Sequence, residues 1–249
     1  VRYLSQVIRT LSPIQVYAQT LLAFKLVAAD DRVVGLNFVA PEDHAVALRD
    51  YKQHMDFIAE IGSQFPAQRS GVTLHAGELT LGLVPPEHLG WHIDAAIQVA
   101  GAKRIGHGID IAYAPDMDAL LRNMATQQIL VEINLTSNDV ILEVTDEDHP
   151  LPVYLKYGVP VALSTDDEGV SRIDLTHEYQ RAVTTYDLDY EVLRGMSRNA
   201  LQYSFLPGKG LFQDTLSGQV VDACSAATLG AEAVSGGCAE FLVDYPKGS

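Results

Sequence analysis

Apolar positions along this chain recur in two rhythms that alternate from one end to the other. Residues 4–29 read as helix, with Val16, Leu21, Leu22, Leu26 and Val27 returning at helical spacing and Phe24 widening the face. Within that stretch Ser12-Pro13-Ile14-Gln15 has a hydroxyl, a proline at the first helical position and a glutamine three residues past the cap, a capping-box pattern. Residues 32–39 are nearly all apolar and rich in β-branched side chains, which predicts a parallel strand covered on both faces. Pro41-Glu42-Asp43 breaks the run. A second amphipathic helix follows over 45–61, with Leu48, Tyr51, His54, Phe57 and Ile58 facing inward.

The alternation then repeats. Strands are expected at 71–75, 104–108, 129–135 and 159–164, and helices at 93–99, 115–126, 152–157, 174–186 and 190–203. Gly158 serves as the C-cap of the 152–157 helix. That makes five strands interleaved with helices over 1–206, which means parallel βα units, either a doubly wound sheet or a TIM barrel. From Pro207 to Ser249 Gly, Ser and Ala dominate, periodicity weakens, and an irregular tail or short added elements are expected.

Composition narrows the function. At 249 residues with 47% hydrophobic and 20% charged positions, the chain has an ordinary globular make-up and length for one large domain or two small ones. A formal charge of −15 argues against a nucleic-acid partner and disfavours strongly anionic substrates, so a neutral or cationic small molecule fits better. No apolar run is long enough to span a membrane. The chain starts at Val1 without a signal-peptide pattern, and is expected to be a processed or partial product. Cys224 and Cys238 could close one disulfide or stay free.

The chemistry gathers at strand ends. Thr73-Leu74-His75-Ala76-Gly77-Glu78 ends a strand on a histidine, and the glycine turn lets Glu78 swing back beside it. Arg104-Ile105-Gly106-His107-Gly108 ends the next, Asn134–Asn138 follows another, and Ser164-Thr165-Asp166-Asp167-Glu168 ends the last. Each has an ordinary reading: a hydrogen-bonded core histidine, turn chemistry, an acidic helix start. Their recurrence shifts the balance, because in a parallel barrel all these ends converge on one mouth. There His75 and Asp166 can share a divalent metal, and Asp167, which cannot point the same way as Asp166, is left to face a substrate.

His75-Ala-Gly-Glu78, Arg104-Ile-Gly-His107-Gly108 and Ser164-Thr-Asp166-Asp167, in that order, resemble the adenosine deaminase family of metal-dependent aminohydrolases, as do Asn199-Ala200 and Ser204-Phe205-Leu206-Pro207. The resemblance runs from about Val33 to Pro207. It implies a TIM (β/α)8 barrel of which the chain carries the last five βα units as one catalytic domain. It implies one Zn2+ held by His75 and Asp166, and hydrolytic deamination of adenosine or 2′-deoxyadenosine. Glu78 would protonate the purine ring, so its pKa is expected to be raised. His107 would orient and help deprotonate the water, while Asp167, Gly77 and Ala40 would contact the purine nucleoside. Ala40 stands where the family usually has glycine, and Asn37 replaces a common aspartate. Gly35–Asp43 and His149-Pro150 look closer to the family's secreted, growth-factor-like branch, a lean toward an extracytoplasmic compartment.

Two features depart from the family. Its first strand carries a His-x-His pair that completes the zinc site, and the eight histidines here include no such pair. Five strands fall short of a closed barrel, so the first three strands and two further His ligands are expected in a part outside this sequence. The rivals to adenosine deamination are deamination of another aminopurine compound and a non-catalytic adenosine-binding or signalling module.

Overall fold

Six strands, not five, run parallel in chain order in the computed structural model, which describes residues 1–68, 71–228, 234, 236–245 and 247. The additional one is β1 (Tyr3–Ile8), which lies inside the stretch expected to be helical. Helix α1 (Pro13–Ala29) begins where the capping box predicts, with Gln15 Oε1 accepting from the Ser12 backbone N–H at 3.2 Å. Of the apolar face expected for α1, Val16 and Phe24 are buried but Leu22 and Leu26 are exposed, and the helix does not extend back through 4–12. Those residues pair almost one for one with β2 (Val33–Val39), from Leu4 opposite Gly35 to Ile8 opposite Val39. Pairing with a distant segment decides the conformation of such a short mixed-polarity run, and helical spacing cannot reveal it.

The succeeding units are α2 (Ala45–Gln64), β3 (Thr73–Ala76), α3 (His92–Gln98), β4 (Arg104–His107), α4 (Met117–Gln127) and β5 (Leu130–Ile133). Next come α5 (Leu135–Leu142), α6 (Leu151–Lys156), β6 (Val161–Leu163), α7 (Glu168–Ser171), α8 (Leu175–Tyr186) and α9 (Tyr190–Gln202). The 135–142 stretch, expected as a loop, is a helix that starts directly on the end of β5. Strands β3 to β6 form one parallel ladder, β1 and β2 another. Among the described residues a single parallel bridge, Leu36 to Val72, joins them, with Leu36 N–H donating to Gly71 C=O at 2.8 Å. Glycine is required at this seam. A Cβ on Gly35 would stand 2.3 Å from the Gly71 carbonyl oxygen, and one on Gly71 would stand 2.5 Å from that of Val34.

Helices cover the sheet through one continuous core in which Val16, Phe24, Phe38, Tyr51, Ile58, Leu74, Ile105, Leu121, Val131 and Tyr154 are buried. Burying such side chains is worth about 1.5–3 kcal/mol each, which makes this interface the main source of stability. With β1 to β6 parallel, their C-terminal ends emerge on one rim.

Past Pro207 the segment 212–216 packs against α9. Hairpin β7 (Phe212–Asp214) and β8 (Gln219–Val220) is followed by α10 (Gly237–Asp244), and Cys224 bonds to Cys238. Asn199 ties this hairpin to the sheet, donating to the Val161 carbonyl at 2.8 Å and accepting from the Thr215 hydroxyl at 2.6 Å. Residues 229–233, 235, 246, 248 and 249 of the expected tail lie outside the described residues.

Candidate active site

Left-handed backbone shapes the rim. At or just past the ends of β2, β3, β4 and β6 the chain passes through Ala40 (φ 78°), Gly77 (φ 75°), His107 (φ 68°) and Asp166 (φ 52°). For the three non-glycine residues this conformation is unfavourable, and it persists because surrounding contacts enforce it. At Gly77 nothing larger fits, since a Cβ would stand 2.4 Å from Asp110 Oδ1.

The turn after His75 is built on a buried carboxylate. Glu42 Oε1 accepts from the Gly77 N–H at 3.1 Å, Glu42 Oε2 from the Glu78 N–H at 2.8 Å, and His92 Nδ1 lies 2.6 Å from Oε1. Burial alone would raise the Glu42 carboxyl. The His92 contact, the Arg9 charge and the Glu78 N–H outweigh it and hold the group below its ordinary range. Arg9, itself buried, donates to the Phe38 carbonyl at 2.7 Å and the His75 carbonyl at 3.1 Å, lacing the ends of β1, β2 and β3 together.

On this frame His75, His107 and Asp166 each offer a ligand atom, and the three atoms lie within 4.8 Å of one another. Asn37 Oδ1 accepts from His75 Nδ1 at 3.2 Å, which leaves the lone pair of Nε2 free. Ser137 Oγ donates to Asp166 Oδ2 at 2.8 Å. Burial lowers the pKa of both rings: His75 is further lowered by Arg9, and His107, pushed well below its usual value, by His75, Arg9 and His149. Neutral imidazoles beside a carboxylate, each oriented by a second partner, are the donor chemistry a divalent metal takes, so the residues present fit part of a metal site.

Glu78 completes the cluster. Burial, reinforced by the charges of Glu42 and Asp166, raises its carboxyl to about 8, in the direction expected. Its Oε1 stands 3.6 Å from His107 Nε2. With a protonated carboxyl and a neutral ring at neutral pH, that contact is not an ion pair. Asp167, exposed, sits at the N-terminus of α7 with no capping bond from its side chain, whereas Asp166 faces the cluster. His75, Glu78, His107 and Asp166 therefore come together as anticipated. Both backbone groups of Gly77 are engaged within the protein, the carbonyl by the N–H groups of Ile109 and Asp110.

Arg9, Glu42 and His149 carried no site role in the sequence reading, and Asn138 entered only within the Asn134–Asn138 strand end. His149 Nε2 is 3.2 Å from Asn138 Oδ1, and Asn138 Nδ2 is 2.8 Å from His107 Nδ1. The one available signal was polarity at strand ends, shared by Arg9 and Glu42. Two cavities of about 420 and 510 Å³ lie elsewhere, by α3 and α4 and between α9 and the β7–β8 hairpin.

Comparison with known proteins agrees with this geometry. The family profile described as adenosine deaminase matches residues 1–218. The chain is 39% identical over 136 residues to adenosine deaminase of Escherichia coli O1:K1, covering 54% of this chain and 38% of that protein. Among solved structures it is similar to the N6-methyl-AMP deaminase of Arabidopsis thaliana (TM-score 0.59, 24% identity, 82% of this chain and 54% of that one). It is also similar to a zinc-bound amidohydrolase from Burkholderia ambifaria (TM-score 0.62, 17% identity, 97% and 57%). These likenesses show a shared fold, and the chain spans little more than half of those two solved chains.

Proposed function

Because this chain belongs to the adenosine deaminase family, we propose that it carries most of the active site of a zinc-dependent enzyme that hydrolyses adenosine or 2′-deoxyadenosine to inosine or 2′-deoxyinosine and ammonia. The observation that carries this reading is the meeting of Glu78 with His75, His107 and Asp166 at one rim.

His75 and Asp166 would hold the metal, joined by two histidines from outside this sequence. A bound zinc supplies Lewis acidity, bringing the pKa of water from about 16 to about 7. The remaining work falls to the chain's own groups. Glu78, protonated at neutral pH, donates its proton to the ring nitrogen beside the amino-bearing carbon and makes that carbon electrophilic. His107 orients the attacking oxygen. Asp167, uncommitted and exposed, accepts a hydrogen bond from the far side of the purine. Ala40 presents its backbone to the base, and Gly77 lets the chain turn tightly enough to bring Glu78 to the ring.

Other aminopurines remain the nearest rivals, since the methyl of Ala40 narrows the space beside the base. A non-catalytic adenosine-binding module is the second reading, favoured by the absence of a His-x-His pair from the sequence. The test is intact mass and metal content on the purified protein, followed by absorbance assays with adenosine, 2′-deoxyadenosine, adenine and N6-methyl-AMP. Stoichiometric zinc with turnover of the two nucleosides is expected. Adenosine binding without metal or turnover would replace the enzyme reading with the module.

A further inference from the structure

We propose that His149, acting through Asn138, sets the tautomer of His107 so that its N–H sits on Nε2 and faces the rim. The inference deepens the deaminase reading and rests on it only for its catalytic consequence.

The argument starts from a donor whose direction is not in doubt. The backbone N–H of Leu151 is in the first turn of α6, where no carbonyl of the helix can accept it, and it points at His149 Nδ1 at 3.1 Å. A backbone N–H can only donate, so His149 Nδ1 must carry a lone pair. His149 is buried and neutral, its pKa lowered to about 4 by burial and the Arg181 charge. Its one ring hydrogen is therefore on Nε2, 3.2 Å from the side chain of Asn138. Asn138 must accept there with Oδ1, which turns its NH2 toward His107 Nδ1 at 2.8 Å. An NH2 can only donate. His107 Nδ1 is thus an acceptor, and the hydrogen of the neutral ring is on Nε2.

Each step removes the alternative of the next. Turning over the Asn138 amide would set its NH2 against the Nε2–H of His149, and moving the His149 hydrogen would set it against the Leu151 N–H. All four groups are buried, so a facing pair of donors could not be relieved by water. At the other nitrogen, the Asn134 amide lies at 3.5 Å and is almost equally close to Nδ1 at 3.4 Å, while Glu78 Oε1 at 3.6 Å and Asp166 Oδ2 at 3.9 Å are beyond hydrogen-bond reach, so none of the three competes with the 2.8 Å Asn138 contact in setting the tautomer.

The consequence is a change in the part played by His107. A ring with its hydrogen on Nε2 offers the attacking oxygen a hydrogen bond and has no lone pair there to take a proton. Its role is to hold and orient. Asn138 and His149, which do not reach the rim, are positioning residues. Taking up a proton at Nδ1 would set two donors face to face across the Asn138 contact.

Long-range 1H–15N correlation spectra of the histidine rings test this on the full chain, without metal or substrate, near neutral pH. His107 is assigned by loss of its signals in His107→Gln. The expected wild-type pattern is a protonated Nε2 and a bare Nδ1 on both His107 and His149. In Asn138→Asp the carboxylate accepts from both rings, and His107 is expected to move its hydrogen to Nδ1 while His149 is unchanged. A bare Nε2 on wild-type His107, or an unmoved tautomer in a folded Asn138→Asp variant, would overturn the proposal. The wild-type spectrum decides even where the variant fails to fold. No turnover enters the measurement, so failure of the deaminase reading would appear separately, in the substrate panel.

Discussion

Glu42 and His92, fifty residues apart in the chain, meet at 2.6 Å with both side chains fully buried. The pair lies beneath the Gly77–Glu78 turn, and the same carboxylate accepts from both backbone N–H groups of that turn. It joins the second and third strand ends of the rim. Removing one partner would leave the other buried and unmatched, along with two orphaned amides. Glu42→Ala is therefore expected to lower stability by about 3–5 kcal/mol. Denaturant unfolding checks this, and a loss below roughly 1 kcal/mol would show that the network does not hold the turn.

Glu78→Gln separates chemistry from stability. Turnover should disappear while metal content stays. The native carboxyl titrates at about 8 against 4.5 in the unfolded chain, so the folded state holds its proton more tightly. Its contribution is full below pH 4.5 and is lost as pH rises through 8, on the order of 3–5 kcal/mol. Unfolding of metal-free protein across that window should show a decline in the wild type that is smaller in the glutamine variant. Parallel profiles would mean that Glu78 is not held protonated.

His54 acts with the opposite sign. It packs against Phe38, its Nε2 has no partner among the described residues, and burial lowers it from 6.5 to about 4 against the weaker pull of Asp50. The unfolded chain takes up the proton first, so stability is expected to fall as pH drops from 6.5 to 4, by roughly 1–3 kcal/mol. His54→Leu should flatten that limb. An unchanged acid limb would remove His54 as its cause.

Ala40→Gly should stabilise the fold. Alanine is held here at φ 78°, a conformation that glycine adopts freely. Relief of about 1 kcal/mol is expected as a higher melting temperature, and a lower one would mean that the methyl packs better than its backbone suffers.

The legible parts of this molecule were those whose signal is local. The capping box at Ser12, the apolar runs of β2 to β6 and the strand-end residues His75, Glu78, His107 and Asp166 each announce themselves within a few positions. Strand β1 did not, because what makes it a strand is β2, some thirty residues away. Arg9 vanished with it. Glu42 looked like part of a breaker, Asn138 like part of a polar strand end and His149 like half of a His-Pro step, because their meaning lies in partners on other elements. Burial makes these groups consequential, and no window of sequence reports it.

The left-handed residues along the rim carry one more implication, for laboratory evolution. Selection for heat tolerance alone rewards whatever relaxes strained backbone, and three such positions, Ala40, His107 and Asp166, stand at strand ends here. Replacement of Ala40 by glycine would leave the chemical groups intact. Gains at the other two would come by discarding the imidazole and the carboxylate, so a thermostability screen without an activity filter would drift toward hardy, inert descendants.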